Sequence, residues 1–233
     1  MRPIRSLLVM LVAAAIALAG CSQGDGGGAA SPATTTPAAS PTSTSAGATG
    51  ATKPGSDQAV AAGRAFLRGE VGMGELVAGP FKATGPDTGA VAYRLKYGEG
   101  GRPMPATAPQ TTVRLQRYAN GWAVTGTSAD NIKVSDPVRF ERISSPLAVA
   151  GRASAFEGTV QVRVTEDRAG KDRELGHGVV TGSGTAELGP FSGRISFGKP
   201  SADAGWVLFY TESEAEGVGI LEATSLRIRF GGA

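Results

Sequence analysis

The chain is poor in the residues that build most catalytic and metal centres. Among 233 residues there is one cysteine and one histidine, and aromatics make up only 6%. A single cysteine excludes an intramolecular disulfide and any cysteine-based zinc or iron–sulfur site. A single histidine, His177, leaves room for one imidazole-dependent centre at most. Charged residues, at 18%, are too few for a coiled coil. Glycine and proline are what the chain has in excess. Together its 35 Gly and 14 Pro form about a fifth of the sequence, against an average of about 12%.

The formal charge of +3 belongs largely to the first residues. Met1-Arg2-Pro3-Ile4-Arg5 is a positive start, followed by an unbroken apolar run from Leu7 to Leu18. A membrane-spanning helix needs about 20 such residues, so this run has the length of a signal-peptide core. Leu18-Ala19-Gly20-Cys21 follows directly, and it resembles the lipobox of bacterial lipoprotein signal peptides. The resemblance implies lipid transfer to the Cys21 thiol and cleavage before it, with small residues at 19 and 20 admitted to a narrow peptidase site. Loss of residues 1–20 removes Arg2 and Arg5, which leaves 21 basic against 20 acidic side chains. A nearly neutral chain has no global field to steer nucleic acid. Two or more acyl chains on Cys21 would instead hold it stably to a membrane. The expected location is the outer side of the cell membrane, with the lipid as anchor.

From Ser22 to Ser56 every residue except Gln23, Asp25 and Lys53 is Ala, Gly, Pro, Ser or Thr. Ordering such a segment buries nothing, so residues 21–56 read as the lipid-bearing Cys21 and a flexible tether. Its span is roughly 30–35 Å, from about 5–6 Å × √n. Two folded regions are expected beyond it. Residues 57–136 read as a small α+β domain. A helix starts at Asp57, capped by Ser56 or Asp57, with Val60, Gly63, Phe66 and Leu67 on its buried side. Gly69, Gly72 and Gly74 oppose a long continuation. Val91–Tyr97 and Thr111–Tyr118 alternate as strands, with Val113 and Leu115 inward, and Asn120-Gly121 signals a hairpin into Trp122–Thr125. A last piece lies around Ile132 and Val134.

Residues 137–233 contain no helical pattern. Short apolar alternations recur at 140–143, 147–151, 159–164, 178–181, 191–197, 206–210 and 225–230, with turn residues between them. Seven short strands at that spacing indicate a β-sandwich of immunoglobulin-like size, without the Cys…Trp…Cys pattern of antibody domains. The fold class expected is therefore mainly β: a C-terminal immunoglobulin-like sandwich preceded by one helix and three to four antiparallel strands.

Several separate motifs in this region agree. Ile143-Ser144-Ser145-Pro146-Leu147-Ala148-Val149-Ala150-Gly151-Arg152-Ala153, Ala155-Phe156-Glu157-Gly158-Thr159-Val160, Gly189-Pro190-Phe191 and Thr224-Ser225-Leu226-Arg227-Ile228-Arg229-Phe230 resemble the immunoglobulin-like domain of bacterial spore germination. The resemblance covers roughly residues 140–230. The preceding region, with Arg102-Pro103 and Gly121-Trp122-Ala123-Val124, resembles its companion in actinobacterial lipoproteins. What the resemblance implies is an envelope- or spore-associated protein whose domain mediates interactions rather than catalysis.

Candidate chemistry is thin. His177 lies between Gly176 and Gly178, with no GxSxG elbow or similar nucleophile motif for it to serve. Glu212, Glu214 and Glu216 are the one acidic concentration, but they lack the Asp-x-Asp-x-Asp-Gly loop of a calcium site. Gly98–Gly101 and Thr181–Gly184 are Gly-rich turns that open no phosphate-cradling helix. Arg94, Lys96 and Arg114 stand on the polar side of the first sheet and read as an ordinary solvent-facing surface, with binding of an anionic polymer or headgroup as the alternative. Trp122 and Trp206 would be sugar-stacking platforms if exposed, and their apolar neighbours favour burial. The reading is a non-enzymatic envelope interaction module with no cofactor, no metal and no nucleic-acid partner. Its expected partner is a protein or an envelope polymer, and the alternative is a carbohydrate- or wall-binding lipoprotein.

Overall fold

A computed structural model describes residues 55–167, 173–215 and 217–231. Cys21, its motif Leu18-Ala19-Gly20 and the tether up to residue 54 lie outside the described residues, as does Glu216. The fold is mainly β, as its alternating patterns predict.

Helix α1 (Ser56–Phe66) lays a stripe of small residues on the sheet, with Ala59 and Gly63 buried. The Tyr93 hydroxyl donates to the Val60 carbonyl at 2.6 Å and occupies the space beside Gly63. Neither Ser56 nor Asp57 caps the helix. Gly55 takes the N-cap position at φ 99°, and the Ser56 hydroxyl is buried without a partner. The helix widens into a π-helical turn (Leu67–Val71) and stops at Gly72, whose φ of 91° suits only glycine.

Thirteen strands follow among the described residues. The first five are β1 (Leu76–Ala78), β2 (Lys82–Ala83), β3 (Thr88–Leu95), β4 (Thr111–Tyr118) and β5 (Gly121–Ala129). After them come β6 (Ile132–Asp136), β7 (Arg142–Ile143), β8 (Leu147–Ala153) and β9 (Thr159–Glu166). The last four are β10 (Arg173–Thr181), β11 (Gly189–Ile195), β12 (Ala204–Glu212) and β13 (Ile220–Phe230). They form one long sheet in the order β1-β3-β4-β5-β13-β12-β9-β10, with β2 beside β3 and β7 beside β13, and a three-stranded sheet β11-β8-β6. Pairing is antiparallel except between β7 and β13.

The long sheet runs from one expected region into the other without a break. On one face of β9, β12 and β13, Val160, Val162, Val207, Phe209, Leu226 and Ile228 meet Leu147, Val149 and Phe191 of the short sheet. That is the immunoglobulin-like sandwich. On the opposite face Trp206, Leu208 and Ala223 join Val91, Tyr93, Val113 and Leu115 beneath α1 and its π-turn. Period-two alternation is what lets β12 and β13 serve two cores at once. Strand β9 also grips the helix end: Arg163 Nη2 donates to the carbonyls of Glu70 and Val71 at 2.8 Å each, and Thr165 Oγ1 donates to Glu70 Oε1 at 2.7 Å.

Two local expectations need correction. Strand β6, assigned by sequence to the first region, pairs with β8 of the sandwich. Phe140, read as the start of a strand, sits in a left-handed turn at φ 66°, half exposed, and β7 begins only at Arg142. Its apolar side chain imitated an inward strand position. No described helix is long and apolar enough to cross a membrane.

Candidate functional site

The two coverings of the long sheet lie on opposite faces and over different halves. The short sheet covers β9, β12 and β13, whereas α1 covers the other side of β3, β4 and β5. The remaining face of β3–β5 is open. Alternation along β4 sends Val113 and Leu115 into the core and turns Thr112, Arg114, Gln116 and Tyr118 outward. Register places Thr88 opposite Gln116 and Ala90 opposite Arg114. The floor is therefore built from small side chains with one arginine at its centre.

A bulge shapes the middle. The register between β4 and β5 shifts at Arg114/Leu115, so that Gly126 pairs with Arg114 and Val124 with Leu115. Gly126 has φ 154°, and a Cβ there would lie 3.0 Å from the Ser225 carbonyl, 3.8 Å from Arg114 Nη2 and 3.9 Å from Arg139 Cδ. A missing side chain thus lets two arginines converge where β5 meets β13. Arg139 comes from the loop between β6 and β7, and its guanidinium lies 5.1 Å from the ring centroid of Phe140. The Phe140 N–H donates to the Arg227 carbonyl of β13, which fixes the loop at the groove's edge. The resulting cavity of about 580 Å³ runs between Tyr118 and Arg139–Phe140 and is floored by Thr88, Ala90, Thr112 and Thr125.

Its electrostatics are one-signed. Arg114 is half-buried and donates to the Thr127 carbonyl at 3.2 Å. Burial, and secondarily the Arg139 charge beside it, lower its pKa from the ordinary guanidinium value. Neither guanidinium has a carboxylate partner among the described residues. Hydroxyls, an amide and two cations line the groove, while no carboxylate, imidazole or thiol does. Such a lining can hold and orient an anion. Among the described residues it offers no carboxylate or imidazole base and no thiol nucleophile.

The residues singled out by sequence are dispersed. Arg94 turns away to donate to the Met104 carbonyl at 3.0 Å, and Lys96 pairs with Glu75 at 3.2 Å. Only Arg114 of that stripe enters the groove. His177 lies on β10, largely exposed, with Nδ1 2.9 Å from Glu174 Oε1. Glu212 ends β12 on the surface, and no group of three or more potential metal ligands occurs among the described residues. Gly98–Gly101 forms a short 3₁₀ turn, and Gly182 packs against the Ala153 carbonyl. Trp206 is buried edge-on against Phe66 at 4.7 Å, and the half-buried Trp122 meets Phe81 at 5.2 Å. Sequence reasoning missed Arg139, Phe140 and Tyr118. The available signal was an apolar residue beside a basic one just after Asp136-Pro137, where a loop rather than a strand begins.

A second hollow of about 540 Å³ lies at the end of the sandwich, bordered by Arg142, Arg229 and the 199–203 loop. The buried Glu166 carboxylate holds that loop by accepting from the N–H groups of Ser201 and Ala202 and from the Ser201 hydroxyl. Glu166 is thus occupied in organising the backbone there.

No curated protein and no solved structure matches the chain. One region does match a family: residues 131–218, from the start of β6 past the end of β12, fit the Gmad2 family, the immunoglobulin-like domain of bacterial spore germination, whose fold is a non-catalytic one.

Proposed function

We propose that this chain is a lipid-anchored, extracytoplasmic envelope protein whose folded part is a non-catalytic interaction module. The observation that carries the binding role is the open face of β3–β5, a groove whose two arginines have no carboxylate partner among the described residues. Anchoring rests on the Leu18-Ala19-Gly20-Cys21 motif after an apolar run of signal-peptide length. The Gmad2 match supports an envelope- or germination-related setting.

Labelled palmitate fed to producing cells should enter the chain and be lost in Cys21→Ala. Continued labelling of that variant would remove the anchor from the proposal. Crosslinking in intact cells should capture an envelope component, and capture should weaken when the groove is altered. The carbohydrate-binding alternative does not rest on the tryptophans, because Trp206 is buried and Trp122 is packed against Phe81. Its support comes from the exposed rings of Tyr118 and Phe140.

A further inference from the structure

We propose that the groove between Tyr118 and Phe140 binds an acidic glycan, a sugar chain carrying carboxylate or phosphate groups. The assignment rests on the reading of the folded part as a binding module, and not on the lipid anchor.

Charge supplies the first argument. Arg114 is half-buried beside Arg139, and neither has a carboxylate partner among the described residues. A desolvated cation next to a second cation lacks its counterpart, and an anion bound between them supplies it through charge-assisted hydrogen bonds. Arg114 Nη2 and Arg139 Cδ both approach the open space over Gly126, 3.8 and 3.9 Å from where a Cβ would stand, so an anion held there lies beside both side chains.

The surroundings narrow the anion's class. Tyr118 and Phe140 are 55% and 50% exposed and flank the cavity, presenting ring surface to the C–H faces of a sugar. Thr88, Thr112, Thr125 and Gln116 supply hydroxyl and amide groups suited to sugar hydroxyls. The floor of small residues makes a broad trough of about 580 Å³, with room for more than one ring.

Other partners fit less well. A peptide strand docks by adding to a sheet edge, but here the backbone groups are already paired within β3, β4 and β5. A bilayer surface is recognised by clusters of four to eight basic residues, and among the described residues two line this groove. Nucleic acid requires an extended basic track, which a nearly neutral chain lacks.

The test is titration of the purified full chain, in detergent, with hexagalacturonate, phosphorylated maltohexaose and neutral maltohexaose. At least one acidic oligomer should bind tenfold or more tightly than the neutral one, with affinity falling as salt rises. Arg139→Glu, at an exposed position, should weaken that binding at least tenfold while leaving the thermal transition in place. Arg114→Gln and Tyr118→Ala should each weaken it several-fold. Equal binding of neutral and acidic oligomers, no binding of either acidic one, indifference to Arg139→Glu, or preference for anionic vesicles or peptides would each overturn the assignment. If glycans fail while crosslinking in cells still captures a partner through this face, the interaction module stands and only its ligand class falls.

Discussion

The hydroxyl of Thr127 donates to the carbonyl of Ala223 at 2.8 Å and accepts from the N–H of Ser225 at the same distance. These contacts join β5 to β13 where their backbones diverge, since the two strands share a ladder position only at Gly126 and Leu226. Thr111 Oγ1 accepts from the Ala223 N–H at 3.0 Å, and Thr224 Oγ1 accepts from Ala129 and donates to Ile132, both at 2.9 Å. Three buried threonines therefore replace the missing rungs of the central seam.

Thr127→Val keeps the shape and deletes both bonds, leaving a buried carbonyl and a buried N–H unmet. At about 1–3 kcal/mol for each unsatisfied group, the variant should lose about 2–6 kcal/mol in urea unfolding. Thr112→Val, half-buried on the open face, should change stability by less than about 0.5 kcal/mol. Equal effects at the two sites would contradict the bridging role.

Glu222 adds a pH dependence at the same seam. Its carboxylate is buried and accepts from the Asn131 N–H at 3.1 Å and from Asn131 Nδ2 at 2.9 Å. Burial pushes its pKa above the ordinary 4.5, and the Asn131 bonds only partly oppose this. The native state then holds this proton at pH values where the unfolded chain has released it. Stability from this group is therefore highest below the unfolded pKa, falls as pH rises towards the native value, and is level above it. Unfolding midpoints measured from pH 4 to pH 8 should show wild type losing stability relative to Glu222→Gln as pH rises through that window. A difference curve rising with pH would reverse the assignment.

Helix docking depends on the absence of a methyl group. A Cβ on Gly63 would lie 2.5 Å from Tyr93 Oη and 3.1 Å from Cζ, and the Tyr93 hydroxyl is buried enough to raise its pKa to about 12. Gly63→Ala should cost about 1–3 kcal/mol through overpacking, despite alanine's better helix propensity. Tyr93→Phe removes the nearest clashing atom, so the double variant should lose at least about 0.5 kcal/mol less than the sum of the singles. Strict additivity would show that the helix moves aside freely.

Gly205 and Gly69 form a matched pair of controls. On β12, a Cβ at Gly205 would stand 2.0 Å from the Thr165 carbonyl of β9, a backbone atom that cannot move without parting the strands. Gly205→Ala should abolish the cooperative thermal transition. At Gly69 nothing lies within 4 Å. Gly69→Ala should be neutral or gain up to about 1 kcal/mol.

The sandwich was legible because its strands are amphipathic: Val160, Val162 and Val164 alternate with polar neighbours, as do Leu226, Ile228 and Phe230. The first half of β13 was not. Glu222, Ala223, Thr224 and Ser225 are all buried, so small and polar residues fill a segment enclosed on both faces and show no period. The groove was legible by one residue. Arg114 was visible on the polar side of β4, whereas Arg139 and Phe140 reach it only because the loop after β6 folds back over β5, a relation no local pattern encodes. The lipid-attachment motif at Cys21 lies outside the described residues, and labelling will decide it.

Strands β12 and β13 close both cores, and β13 follows every other strand in the chain. Each half therefore lacks part of its core until β13 is in place. Without it, β5 has only β4 beside it and α1 lacks Ala223 beneath it. Two cores that share their central strands should melt together, in one transition and not two.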